Sequence, residues 1–511
     1  MGAPGAWEKI PDGQPTGKRI TEEIHVRTQD DIRSRRERRH GRPDGIGRLA
    51  AILGALAIVA AACGGGGGTA APSGAATDAP ASADPSVAVP SDGAAPSASA
   101  DAGGLQPPAN PVELVVWNPF TGPDGNFFSE IVAAFNAETP NVQVTVETQV
   151  GAEYIAKLEA ATSAGQLPHV IAAGYDALPL LVENGIVTPI DDLATAAGLD
   201  ASDFPEAIWN AGQWKGQRVG VPIDTHTMNF YYNKALFTAA GLDPESPPAT
   251  REEFEAAIKA VQDKTDADGY QMVASGPGAN FLVGIQFAAL FYQGGGEWTN
   301  ADFTEATFNS EAGVQAAAYL KHLVDDLGVP KVESDAEINA FQQGDNAMVM
   351  SGIWETTRYN DALGADLGVA PIPAIFGDGT WGGSHNLAVT AAAEGDLRQG
   401  AYYFIDWFSR NSLQWGAAGQ IPARNEVREM DEFKNASGEG LLPLIAKVAP
   451  LAESVKFLPT IPGGGDLLFV ANGAGEAATF AINGTDPKQA LDAAATFNTQ
   501  ILNENKAKYG F

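Results

Sequence analysis

Val112-Glu113-Leu114-Val115-Val116-Trp117, broken by Asn118-Pro119, reads as a buried strand, and the residues after it decide the fold. Phe127, Phe128, Ile131, Val132 and Phe135 recur at the three-and-four spacing of an amphipathic helix. Pro140-Asn141 stops that helix, and Val142, Val144 and Val146 alternate as a second strand. Strand, helix and strand within about 35 residues make a βαβ unit, which requires a parallel sheet covered by helices.

The same alternation runs downstream. Helical spacing covers 151–164, 176–184, 234–240, 250–264, 279–293, 310–327 and 335–343. Between these lie strands at His169-Val170-Ile171-Ala172, at Val219-Gly220-Val221-Pro222, at Tyr231-Tyr232-Asn233, at Ala347-Met348-Val349-Met350 and at Leu387-Ala388-Val389-Thr390. The remainder is largely helical to Lys506, and Tyr402-Tyr403-Phe404 with Trp407-Phe408 belongs to its core. The fold class is α/β, with no internal repeat.

Upstream the chain is not a fold. Residues 1–32 are polar and unpatterned. Arg33, Arg35, Arg36, Arg38, Arg39, Arg42 and Arg48 then precede an apolar run from Leu49 to Ala62 that ends at Cys63. A basic n-region before a short apolar h-region is a secretory signal, and the run falls short of the ~20 residues of a spanning helix. Ala60-Ala61-Ala62-Cys63 resembles a bacterial lipoprotein cleavage box, with Ala60 where that box usually has Leu. The resemblance implies a signal over 33–62 and a lipidated Cys63; the competing reading is a plain signal peptide with an incidental cysteine. From 63 to 111 Gly, Ala, Pro, Ser and Asp dominate, a composition that cannot bury enough surface to fold. It is expected to be a disordered tether.

The 63 acidic and 31 basic residues leave a formal charge of −32, which argues against nucleic acid as a partner. A single cysteine excludes an internal disulfide and a multi-cysteine metal site.

Several stretches downstream carry a family resemblance. They are Leu114 to Trp117 with Phe135-Asn136 and Pro140-Asn141-Val142; Leu167-Pro168-His169-Val170; and Val221-Pro222-Ile223-Asp224 through Phe230-Tyr231-Tyr232-Asn233-Lys234. Phe341, Gly344, Ala347 and Met348 with Gly352 and Trp354, and then Gly419-Gln420-Ile421-Pro422, complete the set. In order and spacing they resemble the extracellular solute-binding proteins of ATP-driven (ABC) importers, in the maltose-binding-like branch. That resemblance covers about 112–511. It implies two lobes, each a mostly parallel sheet flanked by helices: lobe 1 over 112–223 and 386–440, lobe 2 over 228–382 and 441–511. It implies a hinge at 223–227, at 383–386 and once more late in the chain. It also implies a receptor, not an enzyme, that holds a carbohydrate between the lobes and docks on membrane permease subunits, at the outer face of the cell membrane. No cofactor and no metal are expected.

Ligands of open α/β sheets bind beyond the carboxyl ends of strands. That rule nominates Trp117, Asn118, Phe120 and Asp124 after the first strand, Tyr175 and Asp176 after the third, Asp224 and His226 at the crossover, and Trp354 after Met350. Gly383, Ser384 and His385 before Leu387, and Arg424 after Ile421-Pro422, complete the candidates. Aromatic faces suit the C–H patches of sugars, and planar polar groups suit their hydroxyls. The competing reading is core packing for Trp117 and Trp354, and hinge hydrogen bonding for His226 and His385.

No catalytic spacing stands out: the chain has no His-Glu-x-x-His, Gly-x-Ser-x-Gly or Walker loop. The alternatives to a carbohydrate receptor are the same fold for a polyol phosphate, a polyamine or ferric ion, and a secreted hydrolase built on a carboxylate pair.

Overall fold

The structure is a computed structural model and describes residues 105–150, 153–276, 279–438 and 440–511. The N-terminal extension, the signal segment with Cys63 and most of the tether lie outside the described residues. The last tether residues do not. Leu105 is buried, Gln399 Nε2 donates to the Gln106 carbonyl, and Asn110 Nδ2 donates to Asp396. The folded head therefore begins by Leu105, ahead of the boundary expected at 112, because an isolated leucine gains by packing even when its neighbours are polar.

The first βαβ unit forms as its pattern requires. Strands β1 (Val112–Asn118), β2 (Val142–Thr148) and β3 (Val170–Gly174) pair in parallel, with β1 in the middle. Val112, Leu114 and Val116 of β1 point inward, the period-two alternation of a strand with one buried face. The helix Pro123–Glu138 starts with proline in its first turn, where a missing N–H is harmless, and buries Phe128, Ile131, Val132 and Phe135.

A hairpin of β4 (Gln213–Trp214) and β5 (Gln217–Arg218) leads to β6 (Val221–Pro222) and the long β7 (Asp224–Asn233). Asn233 caps the helix Lys234–Ala240 by accepting from Leu236 N, and Thr250 with Glu253 forms a capping box on the helix Arg251–Lys264. A parallel pair, β8 (Met272–Ser275) and β9 (Lys331–Glu333), precedes β10 (Met348–Gly352) and β11 (Leu367–Pro371), which flank β7. Last come β12 (Gly382–Gly383), β13 (His385–Val389) and β14 (Ile421–Pro422).

Two sheets result. The first runs β2-β1-β3-β13-β6, and the second is β10-β7-β11 with β12 and β14 attached to the start of β7. Pairing is parallel among β1, β2 and β3, but β13 and every partner of β7 are antiparallel. This departs from a mostly parallel sheet in each lobe, and direction explains it. Strands β3, β10 and β11 run toward the gap between the sheets, whereas β7 and β13 start there and run away.

The chain passes from the first sheet to the second at Ile223 and returns at Ser384. Both crossings lie side by side on the first half of β7, where Gly383 pairs with His226 and Pro422 with Asp224. A later segment joins them through a bridge between Trp381 and Lys456. Two apolar cores run through both sheets, one around Phe128, Phe404 and Tyr231 and the other around Tyr175, Phe230 and Phe287. Tyr402, Phe404 and Phe408 are buried as expected. Among the described residues no helix is long and apolar enough to cross a membrane.

Candidate ligand cleft

A cleft of about 840 Å³ opens where the strand ends of the two sheets converge. Its walls come from the loop after β1, the end of β3, the start of β7, the turn after β10 and the β12–β13 crossing, as the strand-end rule predicts. Of the candidates read from the sequence, Phe120, Asp124, Tyr175, Asp176, His226, Trp354 and His385 line it.

The turn after β10 owes its shape to one glycine. A Cβ on Gly352 would meet the Trp354 indole at 2.1 Å, so only a hydrogen there lets the ring lie back against its own strand. Trp354, Phe281, Phe469 and Trp381 then form a row of rings, with centroids 6.1, 5.2 and 6.0 Å apart in turn. Tyr175 faces them from the first sheet. Its ring stacks on Phe457 at 4.7 Å, and its hydroxyl accepts from Leu458 N at 2.8 Å, which ties β3 to the late C-terminal segment.

Carboxyl groups share this surface. Burial raises the Asp124 and Asp176 carboxyls above the usual carboxylate range, and the nearby His385 offsets part of the shift. Glu355 is likewise raised by burial, offset by Arg358, whose Nη1 lies 3.2 Å from Glu355 Oε2. Among the described residues Arg358 is the one arginine of the lining, and its side chain, 45% exposed, forms an ion pair with Glu355.

Behind the wall sits Asp224, fully buried on β7. His385 N donates to its Oδ1 at 2.8 Å, His385 Nδ1 lies 2.8 Å from Oδ2, and Trp415 Nε1 donates to Oδ2 at 2.9 Å. Burial alone would push this carboxyl up, but the charge and hydrogen bond of His385, with the charge of His226 beside it, hold it well below the usual range. His385 is raised: burial favours its neutral ring, and Asp224 more than reverses that. His226 goes the other way, lowered mainly by burial. The two imidazoles lie 4.6 Å apart, and a Cβ on Gly383 would meet His226 Nε2 at 2.3 Å.

The remaining candidates do not line the cleft. Trp117 Nε1 donates to Glu147, and Asn118 is buried with its Oδ1 accepting from Phe120 N, which shapes the loop that presents Phe120. Gly383 and Ser384 act through backbone, their carbonyls accepting from Thr225 Oγ1 and Tyr175 N. Arg424 turns away, with its side chain buried against Ser409, Asp203 and the Phe204 ring; from the same segment it is Gln420 that lines the cleft. Phe281, Glu355, Arg358 and Phe469 line it without having been nominated. Glu355 and Arg358 follow Trp354 on the same turn, a local signal that was there to use. Phe281 and Phe469 lie on helices distant in sequence, and nothing local marks them.

Residues 130–438 match the family described as bacterial extracellular solute-binding protein. The chain is 23% identical over 334 residues to a maltotriose-binding protein of Pyrococcus abyssi, covering 63% of this chain and 69% of that protein. It is 26% identical over 324 residues to the sn-glycerol-3-phosphate-binding periplasmic protein of Escherichia coli, covering 58% and 71%. The crystal structure of the GacH receptor of Streptomyces glaucescens superposes with a TM-score of 0.67 at 23% identity, covering 77% of this chain and 99% of that one, a likeness that speaks for the fold. With the family match spanning more than half of its length and a two-lobed fold around an aromatic cleft, the chain belongs to the bacterial extracellular solute-binding proteins.

Proposed function

We propose that this protein captures a carbohydrate between its two lobes and delivers it to an ABC importer. One observation carries the reading: a cleft that sets a row of aromatic rings against half-buried carboxyl groups with a single arginine among its described lining residues. Ring faces cover the C–H patches of a sugar, and carboxyls accept from its hydroxyls. A phosphate calls for several cations, and the single lining arginine, Arg358, already lies beside Glu355, so the polyol phosphate alternative has less support. Asp124 and Asp176, with no basic side chain bonded to them, favour a second reading, a polyamine.

The lobes are assigned to 112–223 with 386–440 and to 228–382 with 441–511, and the β7 crossing is the hinge. Ligand bridging the lobes stabilises the closed form by its differential affinity, and that form docks on the permease. A lipidated Cys63 holds the protein at the outer membrane face, with the Gly/Ala/Pro/Ser segment as tether. The protein is a receptor without turnover.

The test is a thermal-shift panel of mono- and oligosaccharides, glycerol 3-phosphate and polyamines. A ligand that binds only the native state stabilises it by RT ln(1 + [L]/Kd), about 2.7 kcal/mol at a hundredfold excess over Kd. A saturable rise with one sugar class supports the reading. A rise with polyamine or glycerol 3-phosphate alone overturns the carbohydrate assignment.

A further inference from the structure

Asp224 and His226 stand on β7 and His385 begins β13, so three metal-ligating side chains from two chain crossings converge on one point of the cleft wall. Asp224 Oδ2 lies 2.8 Å from His385 Nδ1 and Asp224 Oδ1 lies 3.7 Å from His226 Nδ1, and one ligating atom from each of the three residues lies within 4.8 Å of the others. Two further observations single this cluster out. His226 Nδ1 is shielded from solvent and has no hydrogen-bond partner, which is costly for a buried polar atom. It lies 3.7 Å from Asp224 Oδ1, too far for a hydrogen bond. Two ligands of one tetrahedral zinc ion, each about 2.0–2.2 Å from it, stand about 3.4 Å apart. The His226–Asp224 spacing suits a shared ion better than a shared proton, whereas His385 and Asp224, at 2.8 Å, share a proton that an ion would replace.

We propose that Asp224, His226 and His385 form a binding site for a divalent transition-metal ion, with zinc as the best match to two imidazole nitrogens and one carboxylate oxygen. The surroundings are those of a ligating carboxylate. Trp415 Nε1 and the His385 backbone N–H hold Asp224 in place from behind, as outer-shell donors do. Coordination at His385 Nδ1 displaces the proton now between it and Asp224, so affinity falls in acid. His226 and His385 also line the cleft, so an ion held between them would lie beside the ligand space. Bound there, the ion ties β7 to β13 at the crossing between the sheets. The proposal is independent of what the cleft carries.

The experiment uses the full chain without a polyhistidine tag, equilibrated with ZnCl2 and assayed for bound metal by dialysis and for thermal stability. Cobalt serves as a spectroscopic probe. The expected result is one saturable zinc per chain, a raised melting temperature reversed by EDTA, and visible cobalt bands of a four-coordinate site. His226→Ala should lower zinc affinity at least tenfold. It removes no native hydrogen bond of Nδ1, so it should stay folded. His322→Ala, which removes a surface histidine beside Glu255 and Asp326, is the control and should leave binding unchanged. Zinc uptake equal in wild type and His226→Ala, uptake abolished by His322→Ala, or no uptake at all would each overturn the proposal.

Discussion

Asp224→Asn is the sharpest test of how the crossing is held. The wild-type carboxylate accepts from three donors, two on His385 and one on Trp415, and it is fully buried. An amide of the same shape keeps one oxygen and turns an NH2 group toward at least one of those donors. A buried donor left unsatisfied costs about 1–3 kcal/mol, and more when it is charged, so the variant should lose about 2–4 kcal/mol. At about 2.1 cal/mol/K per residue, the roughly 400 described residues carry about 0.8 kcal/mol/K of unfolding entropy, which makes the expected drop in melting temperature about 2–5 °C. The pH dependence gives a second reading. A histidine raised above its ordinary value adds stability that is complete below about pH 6.5 and is lost as pH rises through its folded value. His226, lowered, acts with the opposite sign, losing stability as pH falls through the same ordinary value. Calorimetry of wild type, Asp224→Asn and His385→Gln from pH 5 to 9 separates them: the His385 contribution should vanish in His385→Gln and shrink in Asp224→Asn, where Asp124 and Asp176 still act on the ring. A melting temperature within about 1 °C of wild type, with the slope intact, would show that Asp224 does not hold the crossing.

Three further outcomes are expected. Trp354→Ala should weaken ligand affinity at least about tenfold in titration calorimetry, the loss typical of a buried aromatic anchor. Arg424→Ala should cost about 1–3 kcal/mol of stability by leaving buried Ser409 and half-buried Asp203 without their partner, yet leave ligand affinity unchanged, because the side chain turns away from the cleft. Glu337, pushed up to about 7 by burial with Asp335 and Glu355 adding to it, keeps its proton in the fold after losing it in the unfolded chain. Its stabilising effect is therefore complete below its ordinary value of 4.5 and is lost as pH rises to about 7. Glu337→Gln should flatten that decline in a denaturation series, and an unchanged slope would assign it to another group.

Local pattern carried the fold a long way. Alternation in Val112 to Val116 and helical spacing in Phe128 to Phe135 each follow from one buried face, so they are written in consecutive residues. The strand-end rule placed Phe120, Asp124, Tyr175, Asp176, His226, Trp354 and His385 on the cleft because the end of a strand is also a local property. Arg424 obeys the same rule and still lies elsewhere, since which way a side chain turns after a strand depends on its neighbours, here Asp203 and Ser409. Phe281 and Phe469 were illegible for the converse reason: their helices reach the cleft only by packing. The Asp224–His226–His385 cluster joins residues more than 150 positions apart, with no spacing to read. The sequence alone determined the class of fold, the strand ends and the charge. Only tertiary structure decided the antiparallel partners of β7, the buried hydrogen bonds of the crossing and the row of rings, because each depends on groups that meet only after the chain has folded back on itself.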